Sequence, residues 1–312
     1  MKSPFLMDTI QIEITNACIN SCSNCTRFCG HHPIPYMMDF ETFKAAVDSM
    51  EGFPHMVGIM GGEPLLHPQF EQFCNYAVEK LGRNHLGLWS SFPVGKEHLR
   101  GVICRTFDHI FLNDHTRGDI YHHPLMVGIS EVMEHEREAY MLVDQCWVQN
   151  SWSASINPHG AFFCEVAAAW SILLGKPETA WPVEKGWWWR VPKDFTAQVE
   201  TFCLRCGGAL PLKRRVSVEG VDDISPENYK LLGGSSPKLK RGAYKLHNLE
   251  TCLRKEQQPL AAYKDEHFRD AIAKRYGIYL MMNELGFQTP YMISKPPVAQ
   301  KSYIERMQER YT

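Results

Sequence analysis

Alternating apolar and polar positions near the amino terminus predict the first strand. In residues 10–15, isoleucines alternate with polar side chains with period two, the pattern of a strand with two different faces. Asp39 is suited to cap a following helix. The apolar face of that helix is formed by Phe40, Phe43, Val47 and Met50. A second strand is then expected over residues 57–60.

The same alternation of strands and helices continues toward the middle of the chain. Further strands are expected at residues 85–92, 109–113 and 125–130, with helical segments between them. This order predicts an α/β fold, a partial (β/α)6 barrel. In such barrels the carboxyl ends of the strands face the reaction site. That rule gives the candidate contacts to cofactor or substrate as Ser90, Ser91, Asn113, Asp114 and Ser130.

The second half of the chain changes character. Residues 153–163 predict two short strands around an Asn-Pro-His-Gly turn. Residues 221–228 offer a helix start, and residues 235–242 are typical of a loop. We therefore expect a barrel over residues 1–145, a small module over 146–208 and a mostly helical C-terminal extension over 209–312.

Composition narrows the class of protein. A chain of 312 residues with 44% hydrophobic residues buries a large core, which excludes a disordered or fibrous protein. A net charge of -2 gives no attraction to nucleic acid or to an anionic membrane. Residues 1–10 lack a charged region followed by an apolar run of signal-peptide length. The longest apolar run, 166–174, is about half of the roughly 20 residues that span a bilayer. We expect a soluble, cytoplasmic protein with no nucleic-acid or membrane partner.

Eleven cysteines indicate metal chemistry, because an odd number in a chain without a secretion signal fits a disulfide framework poorly. Cys18, Cys22 and Cys25 follow the first strand with three and two residues between them. Three soft thiolates suit an iron-sulfur cluster and leave one iron open, whereas four would close the site. An open iron is a catalytic feature.

This cysteine loop resembles that of the radical S-adenosylmethionine (SAM) enzymes, which carry the pattern C-x3-C-x2-C after the first strand of a partial barrel. A second match, GGEP at residues 61–64, ends the second predicted strand. The resemblance implies a [4Fe-4S] cluster on the three cysteines. It also implies that the amino group of SAM is bound by Gly61, Gly62, Glu63 and Pro64. Asn24 stands where the family usually has an aromatic residue.

A second set of cysteines lies in the middle of the chain: Cys146, Cys164, Cys203 and Cys206. Their spacing resembles the twitch and SPASM modules that carry an auxiliary [4Fe-4S] cluster, and the single-cluster twitch form fits better. Four ligands imply full ligation, so this cluster would be an electron conduit or a structural clip. The alternative is a zinc site built from two C-x2-C pairs, 22/25 and 203/206.

Cys252 is the one cysteine after these sets, and it is either a buried core thiol or a hydrogen-atom donor. The layout is similar to that of neomycin-type aminoglycoside epimerases, in which a late cysteine quenches the substrate radical. The resemblance therefore implies epimerisation of a sugar or aminoglycoside-like carbon with Cys252 as catalytic residue. Dehydrogenation with the auxiliary cluster as electron acceptor is the alternative. Modification of a ribosomally made peptide and a noncatalytic iron-sulfur or zinc protein are further alternatives.

The expected partners are a small-molecule substrate, with a carbohydrate as one option, and a flavodoxin or ferredoxin-type reductant. Seven of the eight tryptophans lie between residues 147 and 189 and are expected to pack around the second cluster. Three further features are interpreted as having no catalytic role. Cys29 is treated as a spectator, His31 as a solvated or capping residue, and the basic excess over residues 209–260 as a solvated face.

Overall fold

The computed structural model describes residues 1–115, 118–133, 135–210 and 212–247. Its strands are β1 (Thr9–Thr15), β2 (Met56–Gly61), β3 (Leu86–Ser90), β4 (His109–Leu112), β5 (Tyr121–His122), β6 (Ala154–Asn157), β7 (Gly160–Phe162), β8 (Arg215–Val216), β9 (Asp222–Ile224) and β10 (Tyr244–Leu246). Its α-helices are α1 (Phe40–Ser49), α2 (Phe70–Leu81), α3 (Arg100–Thr106), α4 (Ile129–Val132), α5 (Glu136–Asp144), α6 (Trp147–Ser151), α7 (Glu165–Leu174), α8 (Thr196–Phe202), α9 (Pro226–Leu232) and α10 (Pro237–Lys240). None of these described helices is long and apolar enough to span a membrane.

The central sheet has six strands in the order β4-β3-β2-β1-β6-β7. Strands β1 to β4 are parallel neighbours, and helices α1, α2 and α3 connect them, because a parallel connection needs a crossover. Asp39 caps α1 by accepting a hydrogen bond of 2.8 Å from the Thr42 amide. The predicted α/β class and mostly parallel sheet are confirmed.

Strand β6 extends this sheet on the other side of β1, to which it is parallel. It forms the predicted hairpin with β7, which runs antiparallel to it. The hairpin belongs to the segment that carries the second cysteine set, so that segment shares one sheet with the amino-terminal half. The loop of the first set therefore follows β1, and Cys164 of the second set follows the hairpin of the neighbouring strands β6 and β7.

The strand predicted at residues 125–130 is wrong. Met126 forms only a single bridge with Ile224, and helix α4 begins at Ile129. Leu125, Met126 and Val127 are nevertheless buried. An apolar run is required wherever chain enters the core, so it cannot distinguish a strand from buried irregular chain.

The loop predicted at residues 235–242 is also wrong in part, because it contains helix α10, which Ser236 caps through a hydrogen bond to the Leu239 amide. The predicted helix at residues 221–228 starts later: β9 comes first, and α9 begins at Pro226. Strand β9 pairs with β10. The described part of the C-terminal extension thus mixes strands and helices.

Strand β1 is buried on both of its faces. Ile10, Ile12 and Ile14 belong to the hydrophobic core, while the alternate positions Gln11 and Glu13 are polar and also buried. A strand in the middle of a parallel sheet is covered on both sides. The polar face of β1 must therefore be satisfied inside the protein.

Candidate functional site

The end of β2 packs against the start of the cysteine loop. The amide of Gly62 donates to the Thr15 carbonyl oxygen, and the amide of Glu63 donates to that of Ala17, both at 2.7 Å. A Cβ atom on Gly61 would lie 2.0 Å from the Thr15 oxygen, and one on Gly62 would lie 2.2 Å from the Ala17 oxygen. Only glycine fits at these two positions. The GGEP segment and the cysteine loop are thus one structural unit.

Glu63 is the centre of a hydrogen-bond network at the ends of β2 and β3. Its buried carboxylate accepts hydrogen bonds from the Ser90 hydroxyl at 2.7 Å, from the Ser91 hydroxyl at 2.6 Å and from the Ser91 amide at 2.8 Å. The Leu65 amide donates a fourth at 3.1 Å. The structure therefore brings together three predicted site residues, with both serines fixing the carboxylate.

The three predicted cluster ligands are joined by a fourth thiol. The Cys29 side chain hydrogen-bonds the sulfurs of Cys18 and Cys25, which lowers the pKa of both and raises that of Cys29. Burial raises the pKa of Cys22 to about 12, and the nearby sulfurs of Cys25 and Cys18 add to this effect. Cys29 was expected to be a spectator. Its position four residues after Cys25 is the sequence signal for this proximity.

Soft thiol donors on one loop are the donor set that an iron-sulfur cluster requires. The negative charge of Glu63 also acts on Cys18, although less strongly than the hydrogen bond from Cys29. The carboxylate and the thiols are therefore near neighbours. The residues present fit an iron-sulfur cluster with the Glu63 carboxylate beside it. In the described ranges, no group of three or more His, Cys, Asp or Glu side chains is arranged to hold a single metal ion.

The second cysteine set lines one pocket with about 430 Å³ of atom-free space, part of it open to solvent. Its thiols are those of Cys146, Cys164, Cys203 and Cys206, and its other walls are mainly apolar. Burial raises the pKa of all four, to about 12 for Cys206. The Gly208 amide donates to the Cys206 sulfur at 3.3 Å, a contact that stabilises a thiolate. Four converging thiols fit a fully ligated cluster.

The zinc arrangement proposed as an alternative is not assembled in the described structure. It needs Cys22 and Cys25 beside Cys203 and Cys206. Instead Cys22 neighbours Cys25 and Cys18, while Cys203 neighbours Cys206, Cys164 and Cys146. Of the tryptophans, Trp170 lines the second pocket, with its indole directed at Cys206. Trp188 and Trp189 instead stack with Phe5, so the expected packing around the second cluster holds for Trp170 and not for these two.

Asn24, which replaces the usual aromatic residue, holds the cysteine loop to strand β9. Its side-chain amide donates to the Asp223 carboxylate at 2.8 Å, and its side-chain oxygen accepts from the Asp223 amide at 2.8 Å. Its backbone amide donates to the Asp222 carboxylate. A carboxamide has both a donor and an acceptor for this pairing, and an aromatic ring has neither.

Asp222 contacts two buried basic side chains where strand β9 meets the cysteine loop. The Nε2 atom of His31 lies 2.6 Å from the Asp222 carboxylate, and the Lys238 ammonium lies 2.9 Å from it. Ser236 contacts the other ring nitrogen of His31 at 2.8 Å. The sequence interpretation of His31 as solvated was wrong, and Lys238 is an exception to the solvated basic face. Burial raises the pKa of Asp222, but the His31 hydrogen bond and the Lys238 charge outweigh it, so the pKa is lowered.

The other predicted site residues lie elsewhere or cannot be placed. Asn113 remains beside Ser90, whose carbonyl oxygen accepts from its amide at 2.8 Å. Ser130 was chosen as the end of a strand, but it lies in α4 and its hydroxyl donates to the Leu204 carbonyl oxygen at 3.0 Å. The reason for expecting Ser130 to contact the cofactor, its place at the end of a strand, therefore no longer holds. Cys252 lies outside the described residues.

No protein-family model matches the chain, and a search of curated proteins found no match. Among solved structures, the chain is similar to BtrN in complex with AdoMet and 2-DOIA, with 12% identity, a TM-score of 0.40, and coverage of 64% of this chain and 88% of that one. It is also similar to selenomethionine BtrN in an open conformation, with 14% identity, a TM-score of 0.40, and coverage of 66% and 90%. These similarities are too low to assign a family or a function.

Proposed function

We propose that this protein is a radical SAM enzyme. The observation that carries the proposal is the pairing of Gly62 and Glu63 with Thr15 and Ala17, which fixes the GGEP segment beside the cysteine loop. A [4Fe-4S] cluster held by Cys18, Cys22 and Cys25 would supply the electron that cleaves SAM to methionine and a 5′-deoxyadenosyl radical, which abstracts a substrate hydrogen atom.

The residues around this site position the cofactor. Glu63 is a fixed acceptor for the methionine ammonium, because Ser90 and Ser91 hold its carboxylate in one orientation. A charge-assisted hydrogen bond of this type contributes about 1.5–3 kcal/mol. Gly61 and Gly62 keep the backbone close to the loop without side-chain obstruction. A fixed, buried acceptor needs no reorganisation when the cofactor binds.

Two outcomes are open to the substrate radical. In dehydrogenation it loses one electron to an acceptor and one proton to solvent or a base, giving a product oxidised by two electrons. In epimerisation it takes a hydrogen atom from a thiol, and one electron and one proton from the flavodoxin or ferredoxin-type reductant system and solvent return the resulting thiyl radical to the thiol. Dehydrogenation is supported by the four-thiol pocket of the second set, which provides a place for the acceptor. Epimerisation depends on Cys252, and we keep it as the second candidate, with a sugar or aminoglycoside-like substrate for either reaction.

The test of the proposal uses protein reconstituted with iron and sulfide in the absence of oxygen. We expect about eight irons per chain and formation of 5′-deoxyadenosine after addition of dithionite and SAM. The variant with Cys18→Ala, Cys22→Ala and Cys25→Ala should keep about four irons and form no product. Cys104→Ala is the matched control and should behave like the wild type. Zinc in place of iron, or a loaded wild type that does not cleave SAM, would overturn the proposal.

A second experiment, with sugar and aminoglycoside substrates in deuterated water, distinguishes dehydrogenation from epimerisation. A two-electron oxidised product that forms equally in Cys252→Ala supports dehydrogenation. An unoxidised product with one deuterium at the inverted carbon, lost in Cys252→Ala, supports epimerisation.

A further inference from the structure

A buried network of charges joins the loop of the first cysteine set to the segment of the second. The Nη1 atom of Arg27 lies 3.1 Å from the Glu165 carboxylate, and its Nε atom lies 3.1 Å from that of Glu13. The side chains of Arg27 and Glu165 are only 2% and 6% exposed. Arg27 follows Cys25 by two residues, and Glu165 directly follows Cys164.

Every member of the network is held by further contacts. The Ser155 hydroxyl donates to Glu13 at 2.6 Å, and the Ser153 hydroxyl donates to Glu165. Arg27 also donates to the side-chain oxygen of Gln11 on β1. Strand β1, through Gln11 and Glu13, and the second cysteine-bearing segment, through Glu165, thus contact one guanidinium group directly. Ser155 of β6 reaches it only through Glu13.

The network also reaches the sulfur atoms at both ends. The backbone amide of Arg27 hydrogen-bonds the Cys25 sulfur. At the other end, the negative charge of Glu165 acts on Cys164. Charges in a buried, weakly polarisable environment interact far more strongly than charges at the surface. Each one-electron reduction of a cluster adds one negative charge, so these groups must influence the reduction.

We propose that Arg27 and Glu165, coupled as an ion pair between the two cysteine-bearing segments, set the reduction potential of the second cluster. This inference rests on the proposed function, because it assumes a cluster on each cysteine set. Glu165 disfavours the added electron at the second cluster, and Arg27 offsets that effect while its loop holds the first cluster. Both residues are positioning residues, since neither is a cluster ligand.

The test is a redox titration of the second cluster. The titration is monitored through the electron paramagnetic resonance signal of the reduced cluster. The variant lacking Cys18, Cys22 and Cys25 provides a background in which this cluster is the one observed. Glu165→Gln removes the negative charge and should shift the midpoint potential to a more positive value. Arg27→Met should shift it to a more negative value. Arg27→Lys keeps the charge and should lie between Arg27→Met and the parent.

A double variant tests whether Arg27 and Glu165 act as one coupled unit. If the ion pair acts as one unit, the shift in Arg27→Met/Glu165→Gln differs from the sum of the two single shifts. Glu178→Gln makes the same chemical change at an exposed carboxylate of the same segment and should leave the potential unchanged. Unchanged potentials in Glu165→Gln and Arg27→Lys, with four irons retained, would overturn the inference. If Arg27→Met fails to fold, those two variants still decide it.

Failure of the inference and failure of the proposed function give different results. The titration requires only a second cluster, whereas the proposed function requires 5′-deoxyadenosine from the wild type. Wild-type SAM cleavage with insensitive potentials would overturn the coupling alone. Sensitive potentials without any cleavage would leave the coupling supported and overturn the radical SAM activity.

Discussion

The ammonium group of Lys238 donates a hydrogen bond of 2.6 Å to the backbone carbonyl oxygen of Cys22. A lysine from helix α10 thereby holds the loop that contains three predicted cluster ligands. The same ammonium pairs with Asp222, and both side chains are 1% exposed. A residue far along the chain thus fixes the backbone of the site.

We expect Lys238→Met to destabilise the protein by about 3–5 kcal/mol, because the variant leaves Asp222 buried with one cationic partner fewer. Iron should also be lost faster to a chelator. Urea unfolding and the rate of iron release measure the two effects. Lys240 lies on the same helix and is exposed, so Lys240→Met serves as the control. Equal stability of the two variants would contradict the role given to Lys238.

The contact between β9 and the cysteine loop should fail in acid. Burial raises the pKa of Asp223, but hydrogen bonds from His247, Arg215 and Asn24 outweigh it and lower the pKa below its ordinary value of 3.8. A lowered folded-state pKa gives stability that is present above the unfolded value and is lost as pH falls through the folded one. The melting temperature should therefore fall below about pH 4. The melting temperature of Asp223→Asn should fall less below about pH 4 than that of the wild type. An equal fall in the two proteins would contradict this account.

Gly62→Ala should disrupt the site, because the new Cβ atom would lie 2.2 Å from the Ala17 carbonyl oxygen. We expect a loss of about 1–3 kcal/mol in the free energy of unfolding together with loss of SAM cleavage. Gly101→Ala is the matched control, since a Cβ there meets nothing within 4 Å. It lies in helix α3 and should stabilise the protein by about 1 kcal/mol. Thermal unfolding and the cleavage assay check both variants.

Loss of the Glu63 charge should weaken SAM binding at least tenfold, the equivalent of about 1.4 kcal/mol. Glu63→Gln tests the charge, and Ser91→Ala tests the support of the carboxylate and should have a smaller effect. Binding is measured by equilibrium dialysis with reconstituted protein. Ser130→Ala should bind SAM like the wild type, because Ser130 contacts Leu204 instead. Equal affinity in Glu63→Gln would remove Glu63 from the cofactor site.

The sequence was sufficient for features that depend on neighbouring residues. The period-two pattern of β1, the cap Asp39 and the apolar face of α1 are local signals, and each is found in the structure. The spacing of Cys18, Cys22 and Cys25 is local as well. The short distance along the chain limits how far apart these thiols can lie, so the motif predicted the candidate site before any tertiary contact was considered.

Predictions from sequence patterns were wrong where the same pattern occurs in two kinds of local structure. Residues 125–129 of the segment predicted as a strand are buried, and the chain there is mostly irregular rather than a strand. Residues 235–242 contain Ser, Pro and Gly, which are common in loops, but Ser236 and Pro237 are also a good start for helix α10. In both cases the choice depends on what the segment packs against.

Only the tertiary structure decided which charges meet. Arg27 and Glu165 are 138 residues apart in the chain, and Lys238 and Cys22 are 216 apart. No local pattern encodes such pairs, because a charged residue in the sequence is usually a solvated one. The fold brings these residues into the buried interior, where a charge needs a partner. The candidate cysteine ligands follow from the sequence, and the groups that contact their loop and their segment follow from the fold.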